Sequence, residues 1–299
     1  MKPPTTTLKQ IEILKSRNLI FEDEAKAEEI LLKYNYYRLS EYWQRYQIAP
    51  NNENYNFKGN VTFEQIVAIY ELDMLLKSHL QLCIEICEVC FRTRFAYYTA
   101  HSKQNGQYLY LEPDSYNIEK PGDFIETIKS ELYKSKKTKH DMKREGKVYI
   151  WKAVEALNFG TLEKMYSYWT DEKTIQNISN SFKVFKNGGV LNFGTPSKTS
   201  YSSWADKETI QNLSNSFKKP NHEILETIRS LVALRNSYAH HARIWNTTIN
   251  ETSPFKIIFN LMALTDEIMV NKDESYSTRI KNLCESNDEF FKGLTNPTF

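Results

Sequence analysis

Glycine and proline are scarce, nine of each in 299 residues. So few breakers in so long a chain argue against a turn-rich all-β fold and for long helices. Cysteine is sparse too, and three of the four (Cys83, Cys87, Cys90) crowd together. That is no disulfide framework, and it fits a reducing cytoplasm. There is no apolar run of the length a membrane helix needs, about 18 residues or more. The first residues, MKPPTTTLKQ, lack the apolar centre of a signal peptide. These features predict a cytoplasmic protein with no membrane partner. Neither sign of charge dominates: 39 Lys and Arg face 37 Asp and Glu, a net charge of +2. Any nucleic-acid site must therefore come from local clustering. A glycine-rich phosphate loop, a nucleophile elbow and an HExxH pair are all missing, so kinase, hydrolase and zinc-protease chemistry have no footing.

What is present is helical periodicity. Residues 8–17 and 22–34 read as amphipathic helices, and the aromatic-rich 34–46 as a third. The polar stretch NNENYNFKGN (51–60) reads as a linker, giving an N-terminal helical region (1–58) and a larger bundle (59–299). Residues 62–100 read as one long helix. At about 100° per residue, Lys77, Ser78, Gln81, Glu85, Glu88 and Arg92 share one polar stripe on it. Further helices are expected at 123–134, 150–168, 221–246, 255–270 and 279–294, with a basic loop at 134–147.

The chain also contains a duplication. LNFGTLEKMYSYWTDEKTIQNISNSFK (157–183) returns about 34 residues later as LNFGTPSKTSYSSWADKETIQNLSNSFK (191–218). Two copies do not make a solenoid. The second has lost its amphipathic pattern, so residues 184–218 read as a looped-out tandem insert. The opposite assignment, with the first copy displaced, stays open.

The helix expected at 221–246 carries the chemistry. Leu231, Leu234, Tyr238 and Trp245 fall in one arc, and Asn236, His240 and Arg243 fall opposite. Arg235 lies at the edge, with a stem long enough to reach round. Transesterification of RNA by its own 2′-hydroxyl needs a base, an acid and a cation for the phosphorane. Histidine suits the proton roles and arginine the charge. No metal or other cofactor is required. One helix supplies one such set, and a symmetric dimer would supply two. The plain alternative is a polar face that only meets water, because an Arg-x4-His spacing by itself is weak evidence.

Other candidates are weaker. His79, Cys83, Cys87 and Cys90 share a face but spread over roughly 16 Å, too far to bind one ion. Glu85, Glu88 and Arg92 are either an intrahelical ion pair or residues supporting a cleft. The basic run at 134–147 holds seven Lys or Arg against two acids. Its Lys136, Lys137 and Lys139 belong either to a solvated loop or to a patch for an RNA backbone. The aromatics of 34–46 are better explained by packing than by stacking on bases.

RNSYAHHARIWN (235–246) resembles the RN-x3-HH-x-R-x-WN signature of Abi-like (abortive infection) proteins, a branch of the HEPN superfamily. LKQIEILKSRNLIFEDEAKAEEILLKYNYYRLSEYW (8–43) resembles that family's N-terminal helices, with Glu41 in place of its usual glycine. FEQIVAIYELDMLLKSHLQLCIEICEVCFRTRFAYY (63–98) and WKAVEALNFGTLEKMY (151–166) resemble two further elements in the right order. The resemblance implies an all-α HEPN helical bundle, a metal-independent endoribonuclease and a homodimer with a composite site. It also implies a part in phage defence, with RNA as substrate and a small non-coding RNA as a candidate regulator. By position, Arg235 is the phosphate-stabilising arginine, His240 the acid/base and Asn236 the orienting amide. His241, Arg243, Trp245 and Asn246 match the extended motif. The wheel turns His241 inward, as a buried, hydrogen-bonded histidine. The rival reading is a non-catalytic HEPN module that holds a small RNA or a partner protein.

Overall fold

Three helices open the chain, each started by a side chain that satisfies an orphan backbone N–H. In the computed structural model, α1 (Thr7–Lys15) follows Thr6, whose hydroxyl accepts from the Lys9 N–H at 3.2 Å. Asp23 caps α2 (Glu24–Lys33) and Asn35 caps α3 (Tyr36–Trp43). In α2, Glu24 in the first turn and Lys33 in the last also oppose the helix dipole. The structure describes residues 4–182, 220–249, 251–269 and 276–298. They are all-α apart from one small hairpin.

The chain forms two compact units. The first holds the residues up to Leu80, Ser237–Lys256 and those from Arg279 onward; the second holds Gln81–Asn236 and Ile257–Thr278. The boundaries cut through four continuous helices: α4 (Phe63–Ala100), α10 (Pro220–Ala239), α11 (Pro254–Ile268) and α12 (Tyr276–Glu285).

In the first unit, α3 stops at Trp43 and a 3-10 turn (Gln44–Tyr46) leads into strand β1 (Gln47–Ala49). Strand β2 (Asn54–Phe57) returns antiparallel, with Gln47 opposite Phe57. The expected linker is therefore half of a hairpin. Its polarity is that of an edge strand showing one side chain inward: only Phe57 is buried, edge-on to Trp43 at 6.3 Å. Tyr42 and Trp43 are buried as well, whereas Tyr37 is 79% exposed, so packing accounts for only part of the aromatic density of this stretch. The unit is completed by the segment after α10, the larger part of α12 (Tyr276–Glu285), and α13 (Asp288–Thr295).

In the second unit, α5 (Pro121–Lys134) begins with proline at its first position, where the missing N–H costs nothing. The basic stretch 134–147 is not all loop: α6 (Lys139–Glu145) occupies its middle and ends on Gly146 with φ +67°. The helix expected at 150–168 is broken into α7 (Ile150–Ala153) and α8 (Phe159–Tyr168). The break leaves carbonyls to be satisfied, and Arg92 of α4 does so. Its guanidinium donates to the carbonyls of Val154 and of Leu157 (2.8 Å) and pairs with Glu88.

The first copy of the duplication builds α8 and α9 (Glu172–Ser181), burying Leu162, Met165, Tyr166 and Ile178. Tyr166 stands edge-on to Phe91 at 5.4 Å, and Trp169 to Phe95 at 5.6 Å. The second copy, with the insert expected at 184–218, lies outside the described residues. Helix α11 (Pro254–Ile268) buries Ile257, Ile258, Leu261 and Met262. Among the described residues no helix is long and apolar enough to cross a membrane.

Candidate active site

Helix α10 is amphipathic at its C-terminal end. Leu231 and Leu234 are buried, while Arg235 and Asn236 are exposed. The Arg235 guanidinium reaches the Asn236 side-chain oxygen at 3.5 Å, a long contact that leaves both groups open to a ligand.

The helix ends seven residues short of the expected 246, at a capping turn. His241 adopts φ +54°, a left-handed conformation that histidine enters more readily than most residues. Its N–H donates to the Tyr238 carbonyl (3.0 Å), and the Ala242 N–H reaches back to Ser237 (2.8 Å). Those two bonds form a Schellman cap, usually built on glycine. The Ser237 and Tyr238 carbonyls are satisfied and His240 is left at the cap, exposed.

His241 is thus exposed rather than inward and buried as the helical wheel predicts. Extrapolating the wheel past the true helix end misplaced it. What holds it is backbone: its carbonyl accepts from Arg38 at 3.1 Å. Arg243 is corrected for the same reason. It is half-buried, with its guanidinium 5.9 Å from the Tyr42 ring centroid. Burial lowers its pKa from the usual guanidinium value.

Within the first unit, the residues that follow His240 are anchored on a buried carboxylate. Asp73 of α4 is fully buried. It accepts from the N–H groups of Trp245 (2.9 Å) and Ile244 (3.4 Å), from the Tyr42 hydroxyl (2.6 Å), and pairs with Lys77 (2.8 Å). Burial, followed by the Asp73 charge, pushes the Tyr42 phenol far above its ordinary pKa, so it remains a donor. Trp245 is fully buried, and its indole N–H donates to the Phe290 carbonyl at 3.1 Å. Gly293 is glycine because the indole leaves no room: a Cβ there would lie 2.0 Å from the indole nitrogen. Asn246, left-handed at φ +51°, turns its oxygen to Arg45 (2.6 Å) and to the Thr298 N–H (2.9 Å). Trp245 and Asn246 therefore serve as anchors for the chain beyond His240.

Asp73, Tyr42, Arg45 and Gly293 are the residues that sequence reasoning missed. A signal existed for one of them. Asp73 shares a face of α4 with buried Leu76 and Leu80, and an acid on an apolar face needs partners.

The remaining candidates divide between the structural and the accessible. Arg92 is buried, with donors directed to Glu88 and to two carbonyls. Glu88 is part-buried, and Glu85 is exposed. Lys136, Lys137 and Lys139 are exposed, and Lys137 lies 3.6 Å from the Glu155 carboxylate. Cys83 and Cys87 are buried, and Cys87 contacts the Thr265 hydroxyl at 3.6 Å. Among the described residues no group of His, Cys, Asp and Glu is placed to hold a metal ion.

Comparison with curated proteins and with solved structures found no match. A family model does match, that of the Abi-like proteins, over residues 29–246. The matched stretch runs from α2 through Asp73 on α4 to the Trp245–Asn246 anchor. On that match the chain belongs to the Abi-like protein family.

Proposed function

We propose that the protein is a metal-independent endoribonuclease of the HEPN type, working as a homodimer in phage defence. Membership of the Abi-like family suggests abortive infection in general terms, and the nuclease reading goes further. The observation that carries it is that Arg235, Asn236 and His240, at the end of α10, are all exposed. A phosphodiester needs that access.

The chemistry asks for few groups. A histidine takes the proton of a ribose 2′-hydroxyl, and the oxygen attacks the adjacent phosphorus. Charge gathers on the phosphorane oxygens, where Arg235 offers a planar fork of N–H donors. The bond to the 5′-oxygen breaks, and a second acid protonates the leaving oxygen. The products are a 2′,3′-cyclic phosphate and a free 5′-hydroxyl. One chain brings one His240, so the second proton role falls to His240 of another copy related by a two-fold axis. Asn236 orients Arg235 or the substrate phosphate.

The test is incubation of purified protein with total RNA in EDTA, beside the His240→Ala and Arg235→Ala forms. Cleavage by the unaltered chain alone, leaving 2′,3′-cyclic ends, is the expected result. Both variants should drop in rate by at least about 100-fold, the usual contribution of a general acid or base or a charge-stabilising donor. They should also unfold within about 0.5 kcal/mol of the parent, because both side chains are exposed. Specific activity should rise with protein concentration. Equal cleavage by the His240→Ala form would end this reading.

A further inference from the structure

The second unit carries a surface feature that the cleavage chemistry leaves unused. Tyr108 belongs to a 3-10 turn (Gly106–Leu111), Tyr149 precedes α7, and Trp151 lies within α7. Their rings form a stacked run. Tyr149 and Trp151 have centroids 4.6 Å apart with planes 11° from parallel; Tyr108 and Tyr149 are 5.3 Å and 24° apart. Trp151 is 53% exposed and Tyr149 45%.

Large rings are normally buried, and an exposed run of them points to something that covers it. The run stands on a firm base. Val148 and Ile150, on either side of Tyr149, are buried, and the Tyr110 hydroxyl donates to the Val148 carbonyl at 2.7 Å.

The charge beside the rings has one sign. Residues 134–152 contain eight Lys or Arg and only two acids. Both acids are already engaged, Asp141 with Lys152 and Glu145 with Arg144. Lys134, Lys136, Lys139, Lys143 and Lys147 are exposed with no carboxylate in salt-bridge reach among the described residues. The Lys147 ammonium sits 4.3 Å from the Tyr108 ring centroid, at the edge of the run.

Parallel aromatic faces bordered by cations match one ligand chemistry: flat heterocycles joined by phosphates. We infer that Trp151, at the end of the run and backed by the Tyr149 and Tyr108 rings stacked behind it, offers its outer face to a base of an unpaired RNA strand, with the lysines of 134–147 meeting its phosphates. A duplex hides its base faces and does not fit. The inference rests on the reading that this chain acts on RNA, and it narrows the substrate to single-stranded segments.

The probe is a fluorescein-labelled oligoadenylate of about 12 nucleotides, within the span of known single-strand sites. Its sugars are 2′-O-methylated so that it cannot be cleaved. Binding to the full chain should quench tryptophan fluorescence and weaken steeply with salt. Trp151→Ala should weaken binding about tenfold, and Trp151→Phe should restore most of it, because stacking needs a face and not an indole. Both variants should melt with the parent. A duplex of the same length should compete poorly.

The inference is overturned if Trp151→Ala binds as tightly as the parent, or if duplex and single strand compete equally. It is also overturned if the chain ignores the oligonucleotide and binds polyglutamate through Trp151. The two readings fail separately. Cleavage lost in His240→Ala but unaffected by Trp151→Ala removes the stacking site alone. Trp151-dependent binding without any cleavage removes the nuclease alone.

Discussion

His241 shows how much one backbone angle decides. Its φ of +54° ends α10 and leaves His240 at the cap instead of on another helical turn. Glycine enters that region freely, whereas an L side chain pays roughly 1–2 kcal/mol there. His241→Gly should therefore keep or slightly raise stability and keep cleavage, since the exposed imidazole is not what holds the turn. His241→Val, β-branched, should lose about 1–2 kcal/mol or more. Urea unfolding of both variants checks this, and equal midpoints would show that the cap carries no strain. The identities of Arg235, Asn236 and His240 as candidates were legible from residue types and spacing. The roles of His241 and Arg243 were not, because a wheel assumes that the helix continues.

At the scale of elements, the segment after α10 is held through Asp73 on α4. Four donors meet that buried carboxylate: two backbone N–H groups, the Tyr42 hydroxyl and the Lys77 ammonium. Removing one member of a buried ion pair leaves the other charged and unpaired, at a cost of about 3–5 kcal/mol. Asp73→Ala should lose about that much. It should also lose cleavage, although Asp73 touches no substrate in this reading; Asp73→Asn, which keeps an acceptor, should lose less of both. Amide hydrogen exchange at Ile244 and Trp245 gives the independent readout. Unchanged protection in Asp73→Ala would mean that the anchor lies elsewhere. Arg92 is the corresponding tie in the second unit, where it closes the break between α7 and α8. Periodicity located α4 almost to the residue. It could not foresee that break, because the tie that tolerates it comes from a residue more than sixty positions earlier.

For the whole molecule, burial of cysteine sets a limit on alkaline stability. Burial pushes the Cys87 and Cys284 thiols up to about 12, against 9.0 for an ordinary thiol. From about pH 9 upward the unfolded chain loses these protons and the folded chain does not, so the unfolded state gains. Stability should be level up to about pH 8.5 and fall steadily between pH 9 and 12, as urea midpoints across that range would show. A midpoint that rises over the same interval would contradict the burial. The all-α class, the long α4 and the choice of Arg235, Asn236 and His240 as candidates were determined by the sequence itself. They follow from helical period, scarcity of breakers and side-chain type, all of which act over a few residues. Only the tertiary structure decided where α10 stops, that part of the expected linker is a strand, and that Trp245 and Asn246 are anchors around Asp73 and Arg45. Each depends on partners far apart in the chain: the Arg38 donor to His241, Trp43 against Phe57, and Gly293 making room for an indole. Spacing along the chain carries no record of those meetings.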